Sequence, residues 1–356
     1  MRIAQIAPLH ESVPPLRYGG TERVVHYLSE ELVRRGHEVT LFASGDSRTT
    51  AELFASVPES LRLAVHGRDP VVQEVIQLDQ VLKQIDRFDV LHFHTGPISF
   101  PLLNRLEVPH LITLHGPLNS PEQTVLFNHF DRVPLVSISE NQRRPVPQAN
   151  WLGTIHHGLP TDLYNFVATP ADYLAFVGRI SPEKRLDRAI EIAMAVGMPL
   201  KVAAKIDPVD RDYFHHQIEP MMLGNPLVEF VGEVDDQGKQ ELLGHALALL
   251  FPIDWPEPFG LVMIEANACG TPVIAWRAGS TPEVIHDGVN GCLVESIAEA
   301  ATAVDRIKRI DRSRVRSHFE VRFSVTRQAE DYEQLYRHLI QAHRCQCPAS
   351  RLPVHA

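Results

Sequence analysis

The feature that most restricts the fold of this chain is a repeated alternation of short β-branched or apolar runs with amphipathic helical stretches. In the first half, a helix predicted over residues 21–35 places Val24, Leu28 and Leu32 on one face. Strands are predicted at residues 2–7, 39–43, 90–94, 110–114 and 133–138, most of them beside a glycine or a proline. Strands that alternate with helices in this way form a parallel sheet that is covered by helices.

The same alternation begins again near residue 158. A helix start follows the first strand of the second half, with Ser181 as the cap, Pro182 at the first position and Glu183 in the first turn. Strands are predicted at residues 173–177, 200–204, 228–231, 248–251 and 272–275. The pattern predicts α/β domains at 1–158 and 159–324, a last helix at 325–342 and a disordered tail at 343–356.

Length and composition indicate an ordinary globular protein. The 356 residues suffice for two domains with separate cores, and no apolar run is long enough to span a membrane. The N-terminal segment is too interrupted for a signal peptide, and the four cysteines lack metal-ligand spacing, so we expect reduced thiols in a cytoplasmic protein. A formal net charge of −10 argues against nucleic-acid binding, which requires a basic face.

The histidines are numerous but scattered. His92 and His94 alternate along a predicted strand, so their imidazoles can share one face of the sheet. No carboxylate or third ligand stands at a helical spacing nearby, and we expect no metal site.

Two segments combine glycine or basic residues with a helix start. Gly19 and Gly20 follow the loop after the first strand and open a helix, where unpaired amides favour an anion, although a simple tight turn is equally compatible. This is not a GxGxxG motif, so no nicotinamide cofactor is indicated. In the second half, Arg179 ends a strand and Lys184 is predicted in the first turn of the next helix. Cations there oppose the helix dipole, which suggests either a bound pyrophosphate or a solvated basic turn.

The most specific segment runs from Trp255 to Ala266. A proline-rich loop precedes a helix that Gly260 opens, and Glu265 lies among apolar residues of this helix. A buried carboxylate needs a partner; a ribose diol is one candidate, and an internal arginine is the alternative. Glu257 lies beside the helix start, where the amides of Phe259, Gly260 and Leu261 also point outward.

A histidine follows a strand of the first domain at its carboxyl end. His115 lies directly after the predicted strand at 110–114 and is expected to face the ligand cleft between the two domains.

Together these segments resemble the retaining GT-B glycosyltransferases of family four, also called glycosyl transferases group 1. The resemblance covers nearly the whole chain and is most specific at the Glu-x7-Glu pair Glu257 and Glu265, with Pro-Phe-Gly at 258–260 between them. It also includes the Gly-Gly loop, the Gly-Arg-x4-Lys segment at 178–184 and the segments at 231–234, 279–284 and 288–291. It implies two Rossmann-like doubly wound domains that face each other across a cleft, with the last helix crossing back to the first domain.

The resemblance also implies roles for individual residues. Arg179 and Lys184 would bind the donor diphosphate in place of a metal ion, and Glu265 would bind the ribose. Glu257 and the amides of residues 259–261 would position the sugar hydroxyls, and His115 would contact the transferred sugar. The backbone near Val234 would receive the base, and Gly19 and Gly20 would contact the phosphate or the acceptor.

Three segments depart from the family pattern. Lys205-Ile206-Asp207 replaces the usual hydrophobic-Gly strand ending, and Ala278-Gly279-Ser280-Thr281 replaces a Gly-Gly before Pro-Glu. His156-His157 replaces a Pro-Asn, for which the sequence offers no reason.

The sequence therefore predicts a metal-independent glycosyltransferase that uses a nucleotide diphosphate-sugar, with UDP as the expected base. The acceptor is a carbohydrate, a lipid-linked molecule or a small molecule, and the sequence does not choose among them. A sugar-nucleotide epimerase, a glycan phosphorylase and a sensor that only binds sugar nucleotides are the alternatives on this scaffold. The doublets Arg34-Arg35 and Arg143-Arg144 fit a solvated surface, with peripheral membrane contact as the alternative.

Overall fold

The computed structural model describes residues 1–16, 19–63 and 68–346, which form two compact units. The first unit contains residues 1–138 and 143–156 and the chain from Val325 onward; the second contains residues 139–142 and 157–324. The chain therefore changes unit between His156 and His157, next to the predicted boundary at Gly158. The sequence pattern did not predict that Ser139–Gln142 belongs to the second unit.

The first unit is built on one parallel sheet of seven strands. Its order is β3-β2-β1-β4-β5-β6-β7. The strands are β1 (Arg2–Ile6), β2 (Glu38–Ser44), β3 (Glu52–Val57), β4 (Val90–Phe93), β5 (His110–Thr113), β6 (Leu135–Ser137) and β7 (Trp151–Thr154). Helices along this part of the chain are α1 (Gly20–Arg34), α2 (Pro70–Leu82), α3 (Phe100–Leu103), α4 (Pro121–His129) and α5 (Glu140–Arg143). The sequence pattern missed β3 and β7.

The second unit repeats this plan with six parallel strands in the order β10-β9-β8-β11-β12-β13. The strands are β8 (Leu174–Arg179), β9 (Leu200–Lys205), β10 (Val228–Gly232), β11 (Ala248–Phe251), β12 (Val273–Trp276) and β13 (Gly291–Val294). Its helices are α6 (Leu186–Val196), α7 (Arg211–Tyr213), α8 (Glu219–Met222), α9 (Asp236–His245), α10 (Leu261–Ala268), α11 (Thr281–Val284), α12 (Ile297–Ile307) and α13 (Arg312–Arg322). A π-helical turn at Phe214–Ile218 joins α7 to α8. Each unit is a doubly wound α/β sheet, as predicted.

The last helix, α14 (Val325–Gln346), packs on the first unit. Its Tyr332 and Tyr336 are buried with Leu28 and Leu32 of α1 in one core cluster on the sheet. The prediction that this helix ends at residue 342 is wrong, because the helix continues through Gln346. The predicted disorder is therefore wrong for residues 343–346, and residues 347–356 lie outside the described part of the chain.

The basic doublet Arg34-Arg35 forms ion pairs with glutamates of the protein. The carboxylate of Glu333 in α14 forms ion pairs with Arg35 and, at 3.0 Å, with His37. Arg34 forms an ion pair with Glu31 at 2.6 Å. Burial alone would raise the pKa of Glu333, but its bonds to Arg35 and His37 lower it to about 2. Arg35 thus links α14 to the end of α1, whereas Arg34 pairs within α1. Among the described residues, no helix is both long and apolar enough to cross a membrane.

The strand order predicts where a ligand binds along the carboxyl ends of the strands. In the second unit the order reverses between β8 and β11, which lie side by side. Loops that leave the carboxyl ends of two such strands run in opposite directions and open a crevice for ligands. The residues that follow Arg179 and Phe251 lie at this edge.

Candidate donor-binding site

The segment after β8 is a tight turn with basic residues. Arg179 is the last residue of β8, as predicted. Lys184 ends a 3-10 turn, Pro182–Lys184, whose N-cap residue is Ser181, so the predicted helix start is present but the α-helix begins only at Leu186. The reason is Arg185, whose φ of 55° lies in the left-handed region and separates the turn from α6. Arg185 is held by Asp187 at 2.7 Å and Asp254 at 2.8 Å.

Arg179 is surrounded by carboxylates. Its guanidinium donates to Glu183 at 2.5 Å and lies 3.5 Å from Asp210 and 3.8 Å from Asp207. Burial raises the pKa of Asp210, and the neighbouring Arg179 opposes that shift. Lys205 forms an ion pair with Asp207 at 2.5 Å. The segment 205–207, which departs from the family pattern, therefore adds one positive and one negative charge next to Arg179. A diphosphate that binds Arg179 must therefore compete with the protein's own carboxylates.

Lys184 contacts the first glutamate of the Glu-x7-Glu pair. Its ammonium group donates to Glu257 Oε2, which also accepts a hydrogen bond from the Trp255 indole at 3.0 Å. The same ammonium lies 5.0 Å from the Trp255 ring centroid and 5.7 Å from that of Phe251. Because Phe251 ends β11, these contacts join the carboxyl ends of the two central strands.

The loop after β11 leads into α10 through a glycine that no other residue can replace easily. Gly260 has a φ of 82°, and a Cβ on it would lie 2.8 Å from Met263 Cε. Gly260 is the N-cap residue of α10, and no side chain of the described residues caps this helix. Backbone amides at such a helix start favour an anion or a polar hydroxyl group.

A second segment supports this loop from behind. Gly279 has a φ of 56°, and a Cβ there would lie 2.3 Å from the Glu257 nitrogen. The Ser280 amide donates to the Glu257 carbonyl at 3.0 Å, and its hydroxyl donates to the Phe259 carbonyl at 2.8 Å. The segment 278–281, which departs from the family's Gly-Gly, thus keeps a glycine at 279, where the backbone of Glu257 comes too close for a side chain.

This support makes a prediction about stability. We expect Gly279→Ala to lower the free energy of unfolding by about 1–3 kcal/mol more than Gly288→Ala, because overpacking adds to backbone strain. Gly288 is the matched control, since its φ is 76° and nothing lies within 4 Å of its virtual Cβ. Urea unfolding of both variants provides the measurement. Equal losses would show that Glu257 and Gly279 are not in close contact.

Glu265 is buried in α10 and has an internal partner. Its Oε1 accepts a hydrogen bond from Lys239 of α9 at 2.6 Å, and only 5% of the residue is exposed. Lys239 also lies 3.5 Å from Asp236. The alternative of an internally paired carboxylate is therefore realised, with a lysine in place of the expected arginine. Among the described residues, Oε2 accepts no hydrogen bond, so this oxygen can accept one from a ligand.

Val234 lies close in sequence to this pair. It follows β10 and is half-buried, and α9, which carries Lys239, begins two positions later. The Asp235 side chain caps α9 by accepting from the Gly238 amide at 2.8 Å. The loop expected to receive the base and the glutamate expected to bind the ribose are thus joined by one short helix.

The Gly-Gly loop of the first unit lies against a carboxylate. Gly19 precedes α1, and a Cβ on it would come within 2.9 Å of Glu22 Oε2 and of Pro15. Burial raises the pKa of Glu22, and the nearby Glu11 raises it further. A phosphate next to Gly19 or Gly20 would meet this acidic group, whereas an acceptor hydroxyl could donate to it. Tyr18, at the start of the motif, lies outside the described residues.

His115 follows β5 in the first unit and contacts another histidine. Its Nε2 lies 2.9 Å from Nδ1 of His94. Loss of water around the ring lowers the pKa of His115 to about 3, so the side chain is neutral at physiological pH. His92 and His94 share one face, as predicted, with ring centroids 4.0 Å apart.

The structure thus gathers part of the predicted set within the second unit. Arg179, Lys184 and Glu257 lie at the carboxyl ends of β8 and β11, and Phe259, Gly260 and Leu261 follow Glu257 along the chain. Glu265 contacts Lys239 of α9, and Val234 precedes that helix in the sequence. His115, Gly19 and Gly20 belong to the first unit.

Sequence reasoning missed the roles of three residues that support this site. They are Lys239, Gly279 and His157, the last of which is buried with its ring 4.9 Å from that of Phe259. The last contact gives His157, the second residue of the unexplained pair, a structural role. Gly279 and His157 each stood in a departure from the family pattern, whereas nothing in the sequence marked Lys239.

Comparison with known proteins agrees with this fold. Residues 18–148 match the glycosyltransferase family 4, and residues 166–320 match the glycosyl transferases group 1. Glycogen synthase of Mycobacterium tuberculosis is 26% identical over 90% of this chain and 92% of its own length. Phosphatidyl-myo-inositol mannosyltransferase of the same organism is 26% identical over 83% of this chain and 82% of its own length.

Solved structures show the same fold. Sucrose-phosphate synthase of Thermosynechococcus elongatus superposes with a TM-score of 0.77 at 20% identity, covering 96% of this chain and 99% of that one. The Anabaena protein HepE, solved with UDP and glucose, superposes with a TM-score of 0.71 at 21% identity, covering 95% of this chain and 100% of that one.

The two Rossmann-like units define the GT-B class of proteins. The chain belongs to the family four, or group 1, glycosyltransferases and is an enzyme of the glycosyltransferase type.

Proposed function

We propose that this enzyme transfers a sugar from a nucleotide diphosphate-sugar, a UDP-sugar in the first instance, to an acceptor hydroxyl. The reaction retains the anomeric configuration and needs no metal ion. One observation carries the proposal: Arg179, Lys184, Glu257 and the start of α10 lie together where the order of the six-stranded sheet reverses.

The donor's nucleotide half has a chemical match at this edge. Arg179 offers a fork of donors for a phosphate, and Lys184 offers a compact charge. Glu265 Oε2 accepts from the ribose diol, and the backbone near Val234 receives the base. Glu257, which also contacts Lys184, positions the sugar hydroxyls together with the amides of residues 259–261.

The transfer step follows from these contacts. The bond between the anomeric carbon and the phosphate oxygen breaks, and its electron pair leaves with the diphosphate. Arg179 and Lys184 stabilise the negative charge that develops there, which is the largest single contribution in many enzymes. The acceptor oxygen attacks from the same face, and its proton passes to an oxygen of the leaving phosphate.

Ion-pair exchange accompanies donor binding in this proposal. Glu183 and Glu257 are held by the two cations that the diphosphate needs. The diphosphate replaces Glu183 at Arg179 and draws Lys184 away from Glu257. The carboxylate of Glu257 is then released toward the sugar hydroxyls.

The first unit supplies the acceptor side. The acidic neighbour of Gly19 favours a hydroxyl donor over a phosphate at the Gly-Gly loop, and His115 contacts the transferred sugar. The acceptor is a carbohydrate, a lipid-linked molecule or a small molecule; relatives of this chain carry names that include glycogen and phosphatidyl-myo-inositol. We place the enzyme in the cytoplasm.

A ligand panel followed by a release assay tests the proposal. A ligand that binds the native state raises its melting temperature, so UDP, GDP and ADP and their sugars are compared first. We expect one nucleotide series to raise Tm, and its sugar nucleotide to release nucleoside diphosphate equally with and without EDTA. The anomeric coupling constant of the product in proton NMR then gives the configuration.

Other outcomes identify other functions. Conversion of the sugar nucleotide without an acceptor would indicate an epimerase, and consumption of inorganic phosphate would indicate a phosphorylase. Binding without release of diphosphate would indicate a sensor. Inhibition by EDTA would contradict the metal-independent mechanism.

A further inference from the structure

A continuous chain of hydrogen bonds crosses the first unit and ends at His115. It connects seven side chains from β1, β4, β5, α14 and the residues that follow β4 and β5. In order, they are Tyr332, Thr113, His92, Tyr336, Gln5, His94 and His115. The first six are buried, which is unusual for so many polar groups in one core. The transfer mechanism described above uses only the last.

The half of the hydrogen-bonded chain that is nearer to α14 contains two tyrosines. The Tyr332 hydroxyl lies 2.8 Å from Thr113 Oγ1, which lies 2.8 Å from His92 Nε2. The other nitrogen of His92, Nδ1, lies 2.7 Å from the Tyr336 hydroxyl.

The half nearer to His115 passes through one amide. The Tyr336 hydroxyl accepts from Gln5 Nε2 at 3.2 Å, and Gln5 Oε1 lies 2.8 Å from His94 Nε2. His94 Nδ1 in turn lies 2.9 Å from His115 Nε2.

The amide of Gln5 determines where the protons lie. Its oxygen can only accept, so His94 Nε2 must carry a hydrogen. A neutral imidazole has one donor and one acceptor nitrogen, so His94 Nδ1 accepts, and the hydrogen between the rings lies on His115 Nε2. Nδ1 of His115 is then an acceptor.

The surroundings keep these rings neutral. Burial holds the pKa of His92 well below its usual value, and loss of water lowers that of His115 to about 3. The rings of His92 and His94 lie with their centroids 4.0 Å apart and are tilted by 37°, and this proximity disfavours a charge on both.

We propose that Gln5, His94 and Tyr336 are positioning residues that hold His115 as the neutral Nε2–H tautomer, with Nδ1 presented as an acceptor to a hydroxyl of the transferred sugar. The sugar part of this inference rests on the proposed function. An acceptor nitrogen at this position favours a neutral hexose over a uronic acid, because the carboxylate of a uronic acid would direct its own lone pairs at Nδ1. Since two members of the chain come from α14, this helix must be docked for the tautomer to be fixed.

Nitrogen NMR on the full-length protein tests the tautomer without any substrate. In protein labelled with 15N-histidine, His115→Gln identifies the His115 signals. We expect a protonated Nε2 and an unprotonated Nδ1 that do not change between pH 8 and pH 5. Tyr336→Phe and Gln5→Met should produce a mixture of tautomers.

A matched control separates this role from simple packing. Tyr173→Phe removes a buried phenol hydrogen bond of 2.8 Å in the second unit and should leave the His115 signals unchanged. A protonated Nδ1 in the wild-type protein would overturn the proposal. So would an unchanged tautomer in both Tyr336→Phe and Gln5→Met.

Binding of two sugar nucleotides tests the sugar preference. We expect UDP-glucose to bind about tenfold or more tightly than UDP-glucuronate, the effect of leaving one buried polar group unpaired, and the ratio to fall in Gln5→Met. Equal binding would overturn the preference. Binding of neither would refute the proposed UDP-sugar donor and with it the preference, while the NMR spectrum decides the tautomer separately.

Discussion

Replacing Arg179 with alanine is expected to lower kcat by roughly 30-fold to 1,000-fold, which corresponds to about 2–4 kcal/mol of transition-state stabilisation. Arg179 ends β8 at the reversal edge and carries the planar donor group that suits a phosphate. The loss falls on kcat because charge on the diphosphate develops during bond cleavage. Release of nucleoside diphosphate at saturating donor measures it.

Lys184→Ala should lower kcat by a similar factor. It also leaves Glu257 without its ammonium partner, so its melting temperature must be measured beside its turnover. Lys201→Ala is the matched control: Lys201 lies near the amino end of β9, and its ion pair with Glu229 is exposed. Turnover that is unchanged in both Arg179→Ala and Lys184→Ala would refute the proposed role of this pair.

The second large effect is expected at Glu265. In Glu265→Gln we expect a nucleoside diphosphate to bind roughly 10-fold to 100-fold more weakly, because a hydrogen bond to a charged group is worth about 1.5–3 kcal/mol. The ribose diol should account for the loss. Isothermal titration with the best-binding nucleotide and its 2′,3′-dideoxy analogue separates the ribose contribution: the wild type prefers the ribose, and the variant does not.

Stability alone cannot distinguish a ribose ligand from a structural ion pair, because breaking a buried pair costs about 3–5 kcal/mol in either case. Lys239→Met resolves this point. It breaks the same pair as Glu265→Gln but leaves the carboxylate in place. We expect it to lower stability yet retain the ribose preference. If Glu265→Gln retained that preference as well, Glu265 would be only a structural partner of Lys239.

Much of the fold could be predicted from the sequence, because parallel sheets bury continuous apolar runs between helices. The strand β11 is an example: all four of its residues are buried, and its bounds match the prediction. The missed strands β3 and β7 lack this signal: only the last residue of β3 at the sheet edge is buried, and all four residues of β7 are half-buried. The sequence pattern also missed β13, although three of its four residues are buried.

The position of the candidate site was predictable for a similar reason. Arg179 and Glu257 follow strands, and the carboxyl ends of parallel strands lie at one edge of a sheet, so such residues meet wherever the strands are neighbours. The partners of these residues were not predictable. Lys239 reaches Glu265 from another helix, 26 positions away, and Asp210 reaches Arg179 from a loop after β9. Contacts of this kind depend on how helices and loops pack, which local patterns do not record.

The polar chain of the first unit shows the same limit. The alternation of His92 and His94 predicted a shared face, but the partners come from β1, β5 and from α14 near the end of the chain. No spacing in the sequence relates Gln5 to Tyr336, which are 331 positions apart.

A crystal structure of the enzyme with its best-binding nucleoside diphosphate tests the central claim most directly. The account predicts the diphosphate against Arg179, Lys184 and the start of α10, with the ribose hydroxyls on Glu265. A diphosphate bound elsewhere, with Lys184 still on Glu257 and no ligand atom within hydrogen-bonding distance of Glu265, would contradict it.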